Sequence, residues 1–434
     1  METENLQLAT IATGDTRQCG ARGLPKPGGV VVMGADYRGL GVVRSLGRRR
    51  IPVVLLQRGE HKLAAWSRYV ARVVHWPEDT DDAGFLLRLA ETEKLHGWLL
   101  VPTADETVGL VARSYDALAS CYTLTTPPWE TLEQVCNKLS LYKLAHSLGI
   151  DQPWTFCPRN SQELESLDCQ FPVILKPALR EASNPFTSEK AWLVNDRQEL
   201  LARYQEATRF LPAELVMVQE IVPGGGEAQF SYAALWCEGR ELASVVARRT
   251  RQFPIDFGRS STFVETVQDP GLRAAATRVL AAARMTGLVE VEFKRDPSGR
   301  YRLLDVNPRV WGWHTLGARA GVDFSYLLWL LAQGEPVPQL QAVPGISWMR
   351  LGTDIPVALQ QLVRGTLSWK AYLRGLFSPQ DSPIFAIDDP VPALLDVPLM
   401  AYLVAKRAWQ KLALIRACFK NIPWGVRSRN HGKV

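Results

Sequence analysis

The sequence predicts an α/β domain with a doubly wound parallel sheet, followed by an antiparallel α+β domain. Three observations carry that expectation. Val30-Val31-Val32-Met33 is a short apolar run that ends at Gly34, and ADYRGLGVVRSLGRRRIPVVLL then reads as turn, helix and a second strand at Val53 to Leu56. GWLLVPTADETVGLVARSY repeats the pattern, with a strand to Val101, a turn at Pro102 to Asp105 and a helix. Strands that alternate with helices build parallel sheets. From Phe171 to Asn307 the texture changes to short strand-like runs separated by turns such as EGR and PSG, with one amphipathic helix at about 270 to 286. Runs of strands with few helices point to antiparallel pairing.

Residues 1 to about 27 carry Gly, Pro and Thr without apolar periodicity and read as a loose leader. The parallel-sheet domain then covers 28–128. Residues 130 to 150 have apolar positions at helical spacing and end at Gly149, a C-cap signal. They open a second domain over 129–335. The remainder, 336–434, is punctuated by proline and then turns basic, and reads as a C-terminal helical extension.

With 434 residues, 47% apolar and 22% charged, the chain has the composition of a globular protein of two or three domains. Its seven cysteines form no CxxC pair and no metal-type spacing with the six histidines, as expected for reduced thiols. The start, METENLQLAT, lacks the order of a secretory signal, and no apolar run has membrane-spanning length, so a cytoplasmic protein is expected. The net charge of +6 is local: eight Lys or Arg and no acid follow Asp396, which leaves −2 for the rest. That distribution argues against nucleic acid as a partner.

The chemistry-bearing residues begin with GLVEVEFKRDPSGRYRLLDVNPRVWGWH. Two strand-like runs joined at Asp296-Pro297-Ser298-Gly299 read as a hairpin. Alternation puts Glu290 and Glu292 on one face, and Asp305 and Asn307 share a face of the partner strand. Oxygen ligands on adjacent strands suit a hard cation such as Mg2+, although one acidic hairpin is equally a solvated charged face. FPVILKP places Lys176 at the end of a buried strand, where a phosphate would offset the cost of burying its charge. VMVQEIVPGGGE runs from a strand into three glycines, with Glu220 and Glu227 placed to meet an adenine edge and ribose hydroxyls. Lys138 begins a helix upstream and is a candidate for a second phosphate cation.

The ordered set Lys138, Lys176, Glu220, Glu227, Glu292, Asp305, Asn307 resembles the ATP-grasp superfamily, over about residues 28 to 330. Within it the chain looks closest to the carboxylate–amine ligase-like branch that includes D-aspartate ligase. VVVMGADYRGLG and VPTADE resemble the accompanying pre-ATP-grasp domain. The resemblance implies an ATP-grasp fold of two α+β subdomains with ATP between them. It implies that Lys138 and Lys176 hold phosphates, that Glu220, Ile221 and Val222 take adenine, and that Glu227 takes ribose. Glu292, Asp305 and Asn307 would bind one or two Mg2+ ions, with Mn2+ as the substitute, and Arg309 would neutralise the transferring phosphate. The implied activity joins a carboxylate to an amine through an acyl phosphate, with an amino acid as one partner by analogy. A biotin-carboxylase-like enzyme and an ATP-binding regulator without turnover are the alternatives; an NAD oxidoreductase finds no support after the first strand–helix–strand unit.

The departures from the family pattern are specific. Ala178 to Trp192, where a glycine-rich lid is usual, contains no glycine and offers Ser183, Ser188 and Lys190, with Lys190 a candidate phosphate contact. Asp305 is one methylene shorter than the commoner Glu. Position 290 is Glu where an arginine is expected, so Arg248, Arg249 or Arg251 would take that role. With Arg259 they make ARRTRQFPIDFGRSS strongly basic, suited to a substrate carboxylate or to a solvated loop.

Weaker signals are Gly34, Gly39 and Gly41 as a phosphate approach, Asp105-Glu106 facing the amine or capping a helix, and Trp311 and His314 lining the pocket. A tail helix at about 397 to 420 sets Val404, Ala408, Leu412, Ile415 and Phe419 opposite Lys and Arg. A helix drawn to anionic lipid and one packed on the protein's own core or on a partner subunit both satisfy that pattern. A homodimer is the expected oligomer.

Overall fold

The computed structural model describes residues 24–179, 184–188, 190–255, 258, 260–378 and 380–420; for Gln380 and most residues after Lys406 it describes the backbone alone. Of the expected leader, positions 1–23 lie outside the described residues. The rest of it is held, because Lys26 pairs with Glu335 at 2.7 Å and the Pro27 carbonyl accepts from Gln333 at 2.7 Å.

The first sheet contains β1 (Val30–Met33), β2 (Val53–Gln57), β3 (Arg72–His75), β4 (Leu99–Pro102) and β5 (Thr123–Leu124), all parallel, in the order β3-β2-β1-β4-β5. Helix Tyr37–Gly47 follows β1 and is capped by Asp36, which accepts from the Arg38 and Gly39 amides. The glycines of this turn serve packing and do not meet the cavity described below. A Cβ on Gly39 would collide with the Gly34 carbonyl, and one on Gly41 with the His314 ring.

A second, antiparallel sheet orders β6 (Thr155–Phe156), β7 (Val173–Pro177), β8 (Trp192–Val194) and β9 (Val216–Glu220) as β6-β9-β7-β8. Helix Arg197–Ala207 covers it. The hydropathy pattern does not predict that helix, because RQELLARYQEA buries only Leu200, Tyr204 and Ala207. Its start is set by Asp196, whose carboxylate accepts from the Glu199 amide at 2.8 Å.

The third sheet is the largest. It contains β10 (Gln229–Cys237), β11 (Arg240–Phe253), β12 (Ser260–Thr266), β13 (Gly287–Arg295) and β14 (Tyr301–Asn307), joined by β15 (Leu340–Gln341), β16 (Ser347–Met349) and β17 (Gln380–Asp381). The order is β14-β13-β10-β11-β12-β16-β17, with β15 beside β11. The chain after 335, expected as a separate extension, therefore continues this sheet before it forms helices Leu351–Val363, Trp369–Leu376 and Val391–Lys420. Two-residue and three-residue strands give too short an alternation to be read from sequence.

One core joins the first and third sheets. Leu40 and Val43 of helix Tyr37–Gly47 pack with Trp311, Trp313, Phe324 and Leu331 beneath Ala233, Val245 and Ala247. Trp311 and His314, expected to line the pocket, belong to this core: both are buried, and the rings of Trp311 and Phe324 meet edge to face at 4.9 Å. Burial pushes the His314 imidazole down to about 4, so it is neutral. The opposite face of the large sheet is covered by helices Lys138–Ser147 and Pro270–Ala282. The single helix expected over 130–150 is two, Trp129–Cys136 and Lys138–Ser147. Asn137 breaks them by capping the second, accepting from the Leu139 amide at 3.0 Å. Gly149, at φ +62, ends the pair as expected.

Arg251, expected to contact substrate or intermediate, is turned into the sheet's flank. Its Nε donates to Asp354 Oδ1 at 2.8 Å and its second nitrogen to Oδ2 at 2.9 Å, with Thr262 Oγ1 also donating to Asp354 at 2.8 Å. This bidentate pair is buried and clamps helix Leu351–Val363 onto β11 and β12. Breaking it leaves an uncompensated buried charge. Asp354→Ala should therefore lower stability by about 3–5 kcal/mol, read as a shift of the urea midpoint. A shift within error of zero would show that the clamp does not hold the helix.

Candidate active site

A cavity of about 330 Å³ opens where the three sheets converge. Its floor is the β13–β14 hairpin. The register sets Glu292 opposite Asp305 and Glu290 opposite Asn307, which places all four on one face as the sequence predicts. The turn closes through Asp296, whose carboxylate accepts from the Ser298 and Arg300 amides, and Gly299 sits at φ +87. One wall is the end of β7 with Lys176. A second is the start of helix Lys138–Ser147, whose first amide donates to the Ala178 carbonyl at 2.9 Å and so sets Lys138 beside Lys176. The third wall comes from the parallel-sheet domain: Arg38, and from helix Asp105–Arg113 the residues Asp105, Glu106 and Arg113.

Every acid on the floor meets a cation. Lys138 Nζ lies 2.9 Å from Asp305 Oδ1, and Lys190 Nζ lies 3.3 Å from Glu292 Oε2. Arg249 reaches Glu292 Oε1 at 2.8 Å and Glu290 at 4.0 Å, and is itself held by Ser261 Oγ at 2.7 Å. Among the three arginines proposed to compensate for Glu at 290, Arg249 therefore stands at the acids. Arg251 is in the clamp described above, and Arg248 falls on the other side of the strand, level with Phe230. Arg259 lies outside the described residues.

Burial opposes ionisation of Glu292, but Arg249 and Lys190 overcome it and hold the carboxyl well below the usual range. Burial raises Glu290 instead, which accepts from Trp313 Nε1 at 2.9 Å and from the Asn307 amide at 3.3 Å. Arg309 is paired with Asp105 and donates to Asn307 Oδ1 at 3.4 Å. Asp105 is thus the partner of Arg309 and not the helix cap, a position taken by Ala104.

Lys176 is the most perturbed cation. Burial, with Lys138 and Lys190 nearby, pushes its ammonium down to about 7 against the pull of Asp305 and Glu292. Its Nζ donates to Gln219 Oε1 at 3.3 Å; the Gln219 amide donates to Tyr142 and Thr155, and Tyr142 donates to the Leu304 carbonyl. This relay ties β7, β9, helix Lys138–Ser147 and β14 behind the lysine. Sequence reasoning missed Gln219 and Tyr142, since only their meeting in space gives them a role. Arg38 and Arg113 were missed as well; Arg113 stacks on Trp129 at 3.6 Å at the cavity edge.

The lid contributes Thr187, Ser188 and Lys190 to the cavity, while Ser183 lies outside the described residues. Glu220, Ile221, Val222 and Glu227 do not line this cavity. Glu220 accepts from the Trp154 amide at 2.8 Å, and Glu227 folds back on the Gly225 amide at 2.8 Å. Glu227 also lies near Lys294, one strand-step of two beyond Glu292, so the segment borders the cluster from the side.

The donor set fits Mg2+ that arrives with nucleotide. Among the described residues no three of His, Cys, Asp and Glu are arranged to hold a metal ion by themselves. Glu292, Asp305 and the Asn307 amide supply a partial set that phosphate oxygens and water would complete. Cys136 lines the cavity, but burial pushes its thiol up to about 12, so it is no thiolate nucleophile.

The chain has the ATP-grasp fold. Residues 214–351, which include the hairpin, match the family model described as ATP-grasp in the biosynthetic pathway with Ter operon. Three solved structures are similar to it. L-amino acid ligase from Bacillus licheniformis has a TM-score of 0.56 at 14% identity over 72% of this chain and 76% of that one. The biotin carboxylase domain of Hydrogenobacter thermophilus 2-oxoglutarate carboxylase, in complex with MgADP and bicarbonate, has a TM-score of 0.58 at 13% identity over 73% of each chain. N5-carboxyaminoimidazole ribonucleotide synthetase from Thermus thermophilus has a TM-score of 0.53 at 18% identity over 71% and 79%. No curated protein matches the chain by sequence.

Bound phosphate favours charged Lys176, so nucleotide binding should take up a proton wherever the free protein has lost it. With the free ammonium at about 7, MgATP affinity should fall as pH rises above that value, by up to about tenfold per pH unit. Titration calorimetry in buffers of different ionisation enthalpy measures the uptake. In Lys176→Met the dependence should flatten; an unchanged slope there would exclude Lys176 as its source.

Proposed function

We propose that the protein is an ATP-dependent ligase that activates a carboxylate as an acyl phosphate and joins it to an amine. The observation that carries this reading is the convergence of Lys138, Lys176, Lys190 and Arg309 on a floor of Glu292, Asp305 and Asn307. Phosphoryl transfer needs charge neutralisation and positioning, and this set supplies both. Lys138, Lys176 and Lys190 hold the phosphates; the pairs of Lys138 with Asp305 and of Lys190 with Glu292 would give way to nucleotide. Glu292, Asp305 and Asn307 would hold Mg2+, or Mn2+ in its place, which would supply charge neutralisation for the transferring phosphoryl group. Glu220, Ile221 and Val222 take the adenine and Glu227 the ribose. Arg249 positions Glu292 and keeps it ionised.

In the first step a substrate carboxylate oxygen attacks the γ-phosphorus and ADP leaves. In the second the amine nitrogen attacks the acyl carbon, phosphate leaves with the carbon–oxygen electron pair, and the nitrogen loses a proton. Splitting amide formation this way replaces one difficult step by two easier ones. Arg309, held by Asp105, faces the same cavity and neutralises the transferring group. The substrates are small molecules, with an amino acid proposed as one of them, and the L-amino acid ligase of like fold supports that class.

The test is ADP release from MgATP with pools of amino acids and small carboxylic acids. Wild type should respond to a pool, and Lys176→Ala and Asp305→Ala should each lose about a hundredfold or more. Stimulation by bicarbonate alone would assign a carboxylase, and binding without turnover under every pool would assign a regulator.

A further inference from the structure

The C-terminal helices carry a surface that the fold leaves uncovered. Helix Leu351–Val363 buries Asp354, Val357 and Ala358 and exposes Ile355, Leu359 and Val363 at four-residue steps. Helix Trp369–Leu376 turns Gly375 towards Phe263 and exposes Trp369, Leu373 and, just past its end, Phe377 at 82%. That i, i+4, i+8 stripe is flanked by Lys370 and Arg374, each one residue on from an apolar member. Their backs are fixed by one side chain: the Arg251 guanidinium bonds Asp354 of the first helix and lies 5.5 Å from the Tyr372 ring of the second. Helix Val391–Lys420 runs alongside, with Asp396 at 3.6 Å from Arg350 and further exposed apolar residues such as Leu394 and Val397.

The charges exposed along the first two helices have one sign. From Leu351 to Phe377 the only acid is Asp354, which is fully buried and bonded to Arg251. In helix Val391–Lys420 the acid Asp396 is buried against Arg350, and Lys406 pairs with Glu60 at 2.7 Å. Of the three acids between Phe377 and Val391, Asp388 is bonded to Arg48 at 2.7 Å, Asp389 to Arg44 at 2.9 Å, and Asp381 accepts from Thr315 Oγ1. A two-fold contact with a second copy would set Lys370 and Arg374 against a patch of the same sign. An anionic bilayer meets both features, since the headgroups take the cations while Trp369, Leu373 and Phe377 enter the acyl boundary and the lysine stem reaches back to the phosphates. No helix of the described residues is long and apolar enough to cross a membrane, so the contact is with the surface.

We propose that this face, centred on helix Trp369–Leu376, docks the protein on an anionic lipid bilayer. The proposal stands apart from the ligase reading, because none of these residues lines the cavity. It widens the expectation for the tail helix: of the face expected there, Val404 is exposed, whereas the side chains of Ala408, Leu412, Ile415 and Phe419 lie outside the described residues.

Co-sedimentation of the full chain with vesicles tests it. Wild type should pellet with phosphatidylcholine vesicles that contain phosphatidylglycerol, and far less with phosphatidylcholine alone. Trp369→Glu/Phe377→Glu and, separately, Lys370→Glu/Arg374→Glu should each weaken that binding by at least about tenfold, with an unchanged urea midpoint. Equal binding to both vesicle types, or no binding to either, would overturn the proposal. So would concentration-dependent dimers in sedimentation velocity that Trp369→Glu/Phe377→Glu abolishes while vesicle binding persists.

Discussion

Glu292 and Asp305 stand side by side on adjacent strands where the three sheets converge, and the surrounding side chains hold them there. Two neighbouring carboxylates in a low dielectric repel each other and favour protonation. Each is answered by a cation from a different part of the chain: Asp305 by Lys138 on a helix before the second sheet, Glu292 by Lys190 from the lid and by Arg249 from β11. The Lys190–Glu292 contact also ties the segment before β8 of the small sheet to the large one. Lys190 also donates to the Gly258 carbonyl at 3.4 Å, so the lid's position depends on the charge of the floor. A ligand that replaces these pairs would release the lid from Glu292 while offering the same lysine its phosphate.

Much of this was legible in the sequence because it is local. The hairpin declares itself through alternation and an Asp-Pro-Ser-Gly turn, and Lys176 through its place at the end of a buried strand. The parallel sheet followed from two repeats of strand, turn and helix. The failures concern contacts between distant segments. Nothing near Arg251 announces Asp354, more than a hundred positions on, so a buried clamp reads as a substrate-binding arginine. Trp311 and His314 follow the site motif directly, yet the chain turns into the core after Arg309, and burial claims them. Glycines 39 and 41 looked like a phosphate turn because close backbone approach has the same signature whether the neighbour is phosphate or protein.

Arg249 supplies from a different strand the cation that the resemblance placed beside Glu292. The expected arginine two places before the first metal acid would share the strand face of Glu292; here that place is Glu290, which adds an acid where a cation was due. The large sheet resolves the conflict two strands away. On β10, Ser231 lies level with Glu292 and Ala233 with Glu290, and those small side chains leave room for the Arg249 guanidinium to reach both glutamates. A larger residue at 231 or 233 would block the crossing. Glu290 is then left with Trp313 and Asn307 as its bonded partners, which orient the Asn307 amide across the floor. Moving one arginine from the metal strand to β11 thus turns the strand's own position into a brace for the ligand set. The Arg249 cation serves Glu292 Oε1 from behind, while Oε2 of the same carboxylate faces Lys190.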